Sequence, residues 1–251
     1  MKIIFHPRCY EIYTNDPAAA PGRMEGVVKE LEREFEFTEP EPSSEKDLER
    51  VHGRQHIQSV MKEPLAYELG CLAAGGAILA AEMAFGGQPA FGLIRPPGHH
   101  ASPHSCWGFC FFNNIAIAIK RLLSEEKIKS ALIIDFDLHY GDGTTHIFSG
   151  SNEVKYLHSE GTDRTAFMRD LQRSLQREKG YDIIAISAGF DRHEEDWGGL
   201  LKTEDYLSIG RWAKDFSLEH CRGRRFGVLE GGYNHSVLGR NVRSFLQGFS
   251  D

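Results

Sequence analysis

Four short apolar runs each end in ionisable residues set beside glycine, and this pattern restricts the fold more than any other feature of the chain. The runs are residues 91–94, 131–134, 183–187 and 226–229. They lead into Arg95-Pro96-Pro97-Gly98-His99-His100, Asp135-Phe136-Asp137-Leu138-His139-Tyr140-Gly141-Asp142-Gly143, Ala188-Gly189-Phe190-Asp191 and Glu230-Gly231-Gly232-Tyr233-Asn234. Continuous apolar runs of this length suit strands buried on both faces, as in parallel sheets. Stretches of helical periodicity separate them, at 114–123, 166–179, 205–220 and 238–249. Strands alternating with helices predict an α/β fold, a three-layer arrangement with a parallel sheet covered on both faces. Such sheets assemble chemistry beyond the carboxyl ends of their strands. One polar strand end is a turn; four at one edge predict a convergent site.

The stretch after residue 134 carries the clearest chemistry. Asp135, Asp137 and His139 alternate along the chain, so an extended backbone points all three the same way. Two carboxylates and an imidazole suit a divalent metal, and zinc accepts both ligand types. Each piece alone has a plainer reading: a solvated acidic turn, a capped loop for His99-His100, a helix cap for Asp191, a rim aromatic for Tyr233. Together, Asp137, His139 and Asp191 would leave a fourth position for water, the arrangement of a catalytic zinc site. Two carboxylates offset the charge of the ion, so the water needs a general base. The tandem histidines would supply it, with Asp135 and Asp142 as candidates to orient them. A Tyr233 hydroxyl opposite could donate to a developing oxyanion. The reaction class that follows is metal-assisted amide hydrolysis. Cys106 and Cys110 lack companions at zinc-finger spacing and read as packing residues.

Composition narrows the partners. The chain has 251 residues, 41% of them hydrophobic and 26% charged, which predicts one domain over residues 1–251. A net charge of −7 without a Lys/Arg cluster gives no footprint for nucleic acid. Five cysteines without a framework make a reducing cytoplasm the expected location. The weakly polar residues 69–85 include Glu82 and several glycines, so a buried helix is expected over 71–85, with no membrane contact. Further strands are expected at 2–6 and 154–157, and a helix at 23–34. The acidic, Pro/Ser-containing stretch 36–49 reads as an exposed connection, followed by short helical pieces at 47–51 and 56–61.

Taken as a set, RPPGHHA (95–101), WGFCFFNN (107–114), DFDLHYGDG (135–143), SAGFD (187–191) and EGGYN (230–234) resemble the histone deacetylase superfamily, in the family's order and over nearly the whole chain. That superfamily includes acetylpolyamine amidohydrolases and acetoin-utilisation proteins. The resemblance implies the arginase/deacetylase fold and Zn²⁺ on Asp137, His139 and Asp191, with Fe²⁺ the alternative in the cell. It implies that His99 pairs with Asp135 and His100 with Asp142, that His100 is the base, and that Tyr233 polarises the acyl carbonyl. Gly108, Phe109, Gly231 and Gly232 are then expected at the substrate. A structural K⁺ on Asp135 and the backbone oxygens of Asp137 and His139 is also implied. The expected substrate is an acetyl-lysine side chain or a small acylated amine. Ester or thioester hydrolysis by the same site, or a metal-binding scaffold, are the alternatives, and a homo-oligomer stays open. Two departures stand out. Residues 158–163 run almost directly into a helix, without the loop that gives relatives a second aromatic wall, and Trp197 stands where proline is usual. A shallower or partner-completed pocket is therefore expected. Glu63 and Glu68 are candidates for the family's substrate-clamping acid.

Overall fold

In the computed structural model, which describes residues 1–250, the four apolar runs are four adjacent central strands of one seven-stranded sheet. In chain order the strands are β1 (Lys2–Ile4), β2 (Glu36–Thr38), β3 (Ala90–Gly92), β4 (Ala131–Asp135), β5 (Val154–His158), β6 (Ile183–Ala188) and β7 (Arg225–Leu229). Their spatial order is β2-β1-β3-β7-β6-β4-β5, and all six pairings are parallel. The carboxyl ends of β3, β7, β6 and β4 therefore lie along one edge, where their polar continuations meet.

The helices are α1 (Arg23–Leu31), α2 (Glu45–Leu48), α3 (Arg54–Val60), α4 (Pro64–Phe85), α5 (Asn114–Ser124), α6 (Asp142–Ile147), α7 (Arg164–Gln176), α8 (Thr203–His220) and α9 (His235–Phe249). Alternate strand residues feed two cores. Ile4, Ala131, Ile133, Ala185 and Val228 pack with α4 and α5 on one face. Ile3, Leu132, Ile134, Ile184 and Leu229 pack with α1, α7, α8 and α9 on the other. The small residues of α4 let it lie close to the chain beneath the sheet: a Cβ on Gly75 would stand 1.9 Å from the Glu41 carbonyl. The α4 helix is long and apolar enough to cross a membrane, but it is largely buried in the first core.

Two expectations for the N-terminal third need correction. Residues 36–38 are not a connection but edge strand β2, paired Glu36 to Lys2 and Thr38 to Ile4. Three residues, Glu36 exposed and the other two half-buried, carry no period of their own, so the partner strand defines them. The α2 helix starts within the same acidic stretch, where the Ser44 side chain caps Asp47 and the Asp47 carboxylate returns to the Ser44 backbone. The α4 helix begins at Pro64, earlier than the apolar pattern suggests; proline at the first turn is its start signal.

The α8 and α9 helices meet backbone to backbone through glycine. A Cβ on Gly210 would stand 2.2 Å from the Phe245 carbonyl, and one on Gly248 would stand 2.2 Å from the Leu207 carbonyl. Neither helix can yield without disturbing the second core. Gly210→Ala and Gly248→Ala are each expected to cost about 1–3 kcal/mol, as overpacking does, despite the better helix propensity of alanine. Chemical denaturation with an unchanged slope measures this; unaltered midpoints for both would refute the close approach.

Candidate active site

The β4 strand delivers Asp135 at its last residue and then releases the chain into a tight loop. Asp137 is fully buried, and its two oxygens are held apart by different donors. Oδ1 accepts from the His139 backbone N–H at 2.9 Å, and Oδ2 accepts from the Gly231 N–H, beyond β7, at 2.8 Å. Beyond β6, Asp191 Oδ1 accepts from the Leu138 N–H at 2.9 Å. The two loops are thereby stitched together around three side chains. Donor atoms of Asp137, His139 and Asp191 lie within 4.8 Å of one another.

The residues fit a divalent cation on their own geometry. Asp191 Oδ2 is buried and makes no hydrogen bond. His139 Nδ1 comes within 3.0 Å of it, and within 3.3 Å of Asp137 Oδ1, without a hydrogen-bonding line to the Asp191 oxygen. Burial, and next the Asp137 carboxylate, push Asp191 up to about 7. Contact with Asp137 and then Asp191 pushes His139 up to about 10. Like charges so close, buried, with an unpaired oxygen between them, are stabilised by a cation that takes the place of the imidazole proton. Glycine makes the room: a Cβ on Gly189 would stand 2.1 Å from Asp137 Oδ2, and one on Gly231 2.6 Å from the same oxygen.

Beside this cluster stand the two histidines of the Pro-rich loop. His99 Nδ1 lies 3.0 Å from Asp135 Oδ2, both groups buried. Burial opposes charge on His99, but Asp137 and Asp135 outweigh it and hold its pKa well above the ordinary value. His100 Nδ1 lies 2.6 Å from Asp142 Oδ1. Burial, then the His99 neighbour, lower the pKa of His100 against the pull of Asp142. The Trp107 indole N–H donates to the other Asp142 oxygen at 2.9 Å, and its ring lies 3.9 Å from the His100 ring. A carboxylate accepting at Nδ1 fixes the His100 tautomer, so Nε2 carries the free lone pair.

The pocket above is lined by His100, Trp107, Gly108, Phe109, His139, Trp197 and Tyr233, with a volume of about 350 Å³. Gly108 and Phe109 turn through the left-handed region at φ 58° and 67°. For phenylalanine that conformation costs on the order of 1–2 kcal/mol. It presents the Phe109 ring edge-on to Tyr233 at 5.8 Å. Burial and the nearby Asp137 and Asp191 hold the Tyr233 phenol far above its usual pKa, so it stays a donor.

Three expectations change here. The chain does pass quickly from β5 to α7, and no residue of that passage lines the pocket, but an aromatic wall comes from elsewhere. Trp197 stacks on Tyr233 at 4.0 Å and faces Phe109 at 6.4 Å, supplying an aromatic wall from the loop after β6. Gly231 and Gly232, expected at the substrate, do not line the pocket; Gly231 supports Asp137, and the Gly232 carbonyl accepts from Arg23. Neither Glu63 nor Glu68 reaches the pocket, and Glu68 pairs with Arg8. Two supporting residues escaped the sequence reading. Glu230 Oε2 accepts from the Gly98 and His99 N–H groups at 2.7 and 3.2 Å, so β7 holds the histidine loop in place. Arg23 donates to the Glu230 and Gly232 carbonyls and lies over the Tyr233 ring. The EGGYN run was a signal for Glu230; nothing in the plain amphipathic helix marks Arg23.

A parallel α/β sheet with a two-carboxylate, one-imidazole cluster at its carboxyl edge defines an α/β protein with a candidate divalent-metal site. The histone deacetylase domain matches residues 62–167 and 158–249, and the chain belongs to that family of deacetylases and amidohydrolases. A protein described as a probable deacetylase of Methanothermobacter thermautotrophicus is 29% identical over 98% of this chain and 90% of its own length. Another probable deacetylase, of Archaeoglobus fulgidus, is 31% identical over 84% of this chain and 72% of its own length. A histone deacetylase-like amidohydrolase of Pseudomonas aeruginosa is 27% identical over 84% of this chain and 70% of the relative. The crystal structure of the HDA15 HD domain has the same fold, with a TM-score of 0.85 over 99% of this chain and 90% of that one at 22% identity.

Proposed function

We infer that the protein is a zinc-dependent deacylase that hydrolyses an N-acyl amide, with acetyl the favoured acyl group, on a lysine side chain or a small amine such as an acetylpolyamine. One observation carries this reading: the donor cluster reaches, through His139, an aromatic-walled pocket that His100 and Tyr233 also line. Asp137, His139 and Asp191 would hold zinc, which would supply a Lewis acid for a water and for the acyl carbonyl. The rest is done by side chains. His100 Nε2, left free by the Asp142 contact at Nδ1, takes the proton of the attacking water and returns it to the departing amine as the C–N bond breaks. His99, held by Asp135, packs against the His100 ring, and the burial of His100 favours its neutral form. Tyr233 donates its hydroxyl proton in a hydrogen bond to the oxyanion. Trp107, Phe109 and Trp197 shield the acyl group from water.

The test is turnover of a fluorogenic acetyl-lysine peptide and of acetylated polyamines by the zinc-loaded protein. Tyr233→Phe is expected to lower kcat by about 10²–10³-fold, the usual loss of one oxyanion donor, with metal content unchanged. Equal inactivity of wild type and variant across a broad acyl panel would remove the reading.

A further inference from the structure

Under the metal-binding loop lies a buried guanidinium that the function described above does not use. Arg192 follows Asp191 in the chain, is 5% exposed, and turns back to the loop after β4. Its Nε donates to the Asp137 carbonyl at 3.0 Å, and its Nη2 to the Leu138 and Ser159 carbonyls at 3.3 and 2.9 Å. The same Nη2 lies 3.1 Å from His158 Nε2, and the guanidinium sits 4.6 Å from the centre of the Phe167 ring. Three carbonyl oxygens, an imidazole nitrogen and an aromatic face surround one permanent positive charge.

The neighbouring donors are already committed. A guanidinium only donates, so His158 accepts at Nε2 and carries its proton on Nδ1. That Nδ1 stands 4.0 Å from Asp135 Oδ1 with no other partner. Asp135 Oδ1 also accepts from the Asp137 N–H at 3.0 Å. Asp135 Oδ2 accepts from the Tyr156 hydroxyl at 2.9 Å as well as facing His99. A monovalent ion at Asp135 and the Asp137 and His139 carbonyls would share the Asp137 oxygen with Arg192. It would meet a like charge at close range in a low dielectric, beside an imidazole N–H. The residues present do not fit the K⁺ that the family resemblance implies.

We propose that Arg192 is a built-in cation, a positioning residue that holds the Asp137–Leu138 backbone where a bound monovalent ion would otherwise be needed. Tyr156 completes the arrangement by fixing Asp135 from β5 and accepting the Gly141 N–H at 2.9 Å. The short passage from β5 to α7 is what lets Arg192 reach both Ser159 and Phe167. The loop shortened at the pocket and the arginine placed beneath it are two parts of one rearrangement.

The experiment compares zinc-loaded wild type, Arg192→Lys and Arg192→Ala in KCl, NaCl and tetramethylammonium chloride at equal ionic strength. Thermal midpoint and zinc dissociation are read without substrate, so the result does not depend on the deacylase reading. Wild type is expected to give the same midpoint and zinc affinity in all three salts. Arg192→Ala is expected to bind zinc about 10–100-fold more weakly, the usual effect of losing a supporting partner, with recovery in millimolar guanidinium. Arg192→Lys, which keeps the charge but not the fork, should fall between the two. A rise in wild-type midpoint or zinc affinity specific to K⁺ would overturn the proposal, as would unchanged zinc affinity in Arg192→Ala. Should Arg192→Ala fail to fold, the wild-type salt comparison still decides.

Discussion

Asp137→Ala and Asp191→Ala are each expected to bind no stoichiometric zinc and therefore to show no measurable amide hydrolysis. Removing a partner that only supports a ligand lowers metal affinity by about 10–100-fold, so removing one of three ligands must cost more than about 100-fold. The asparagine variant separates the metal role from a packing role. Asp191 is fully buried, and its Oδ2 makes no hydrogen bond. Burial and the Asp137 carboxylate both disfavour its charge. Asp191→Asn removes that charge at nearly constant volume, so the metal-free variant should be more stable than metal-free wild type. With metal present the order reverses, because wild type alone gains the binding free energy. The crossing is read from thermal midpoints with and without a chelator, alongside elemental analysis. Stoichiometric zinc in Asp137→Ala and Asp191→Ala would sink the assigned ligand set, and a metal-free Asp191→Asn less stable than wild type would sink the electrostatic argument.

The central sheet and the cluster were legible because both depend on local pattern. Apolar runs buried on two faces announce themselves, and the polar run after β4 marks where ionisable groups gather. The chain bends after Asp135, however, so Asp137 and His139 join Asp191 while Asp135 faces His99 and Tyr156. The edges were less legible for the same physical reason. The β2 strand exists because β1 offers it a partner, and none of its residues is fully buried. Supporting residues were hardest to foresee, since their role lies in contacts far apart in sequence. Arg23 meets the loop after β7 across 209 positions, and Arg192 meets the Asp137 carbonyl across 55. An arginine next to an aspartate in sequence reads as an ordinary surface pair, and only the fold turns its head inward to the loop after β4. The same holds for the pocket wall. The short passage after residue 158 was visible in the chain, but the wall that Trp197 adds required the packing of that ring on Tyr233.

His100→Ala should keep its metal and lose kcat by about 10²–10⁴-fold, the range expected for a general base. The separation follows from geometry. The His100 ring lies between His99 and Trp107, and its Nδ1 is spent on Asp142, so it is not one of the three clustered donors. Asp142 supplies the sharper half of the test. One of its oxygens accepts from His100 and the other from the Trp107 indole, and both donors require an acceptor. Asp142→Asn offers only one, so an amide N–H must face either the indole or the imidazole. In the second case the proton of His100 is forced onto Nε2, the atom that has to receive one. Activity should fall at least 10-fold in Asp142→Asn with KM nearly unchanged. If Asp142 acts only through His100, the double variant His100→Ala/Asp142→Asn is no slower than His100→Ala alone. Losses that instead multiply would show that Asp142 has a separate function and that the proton does not travel through this pair.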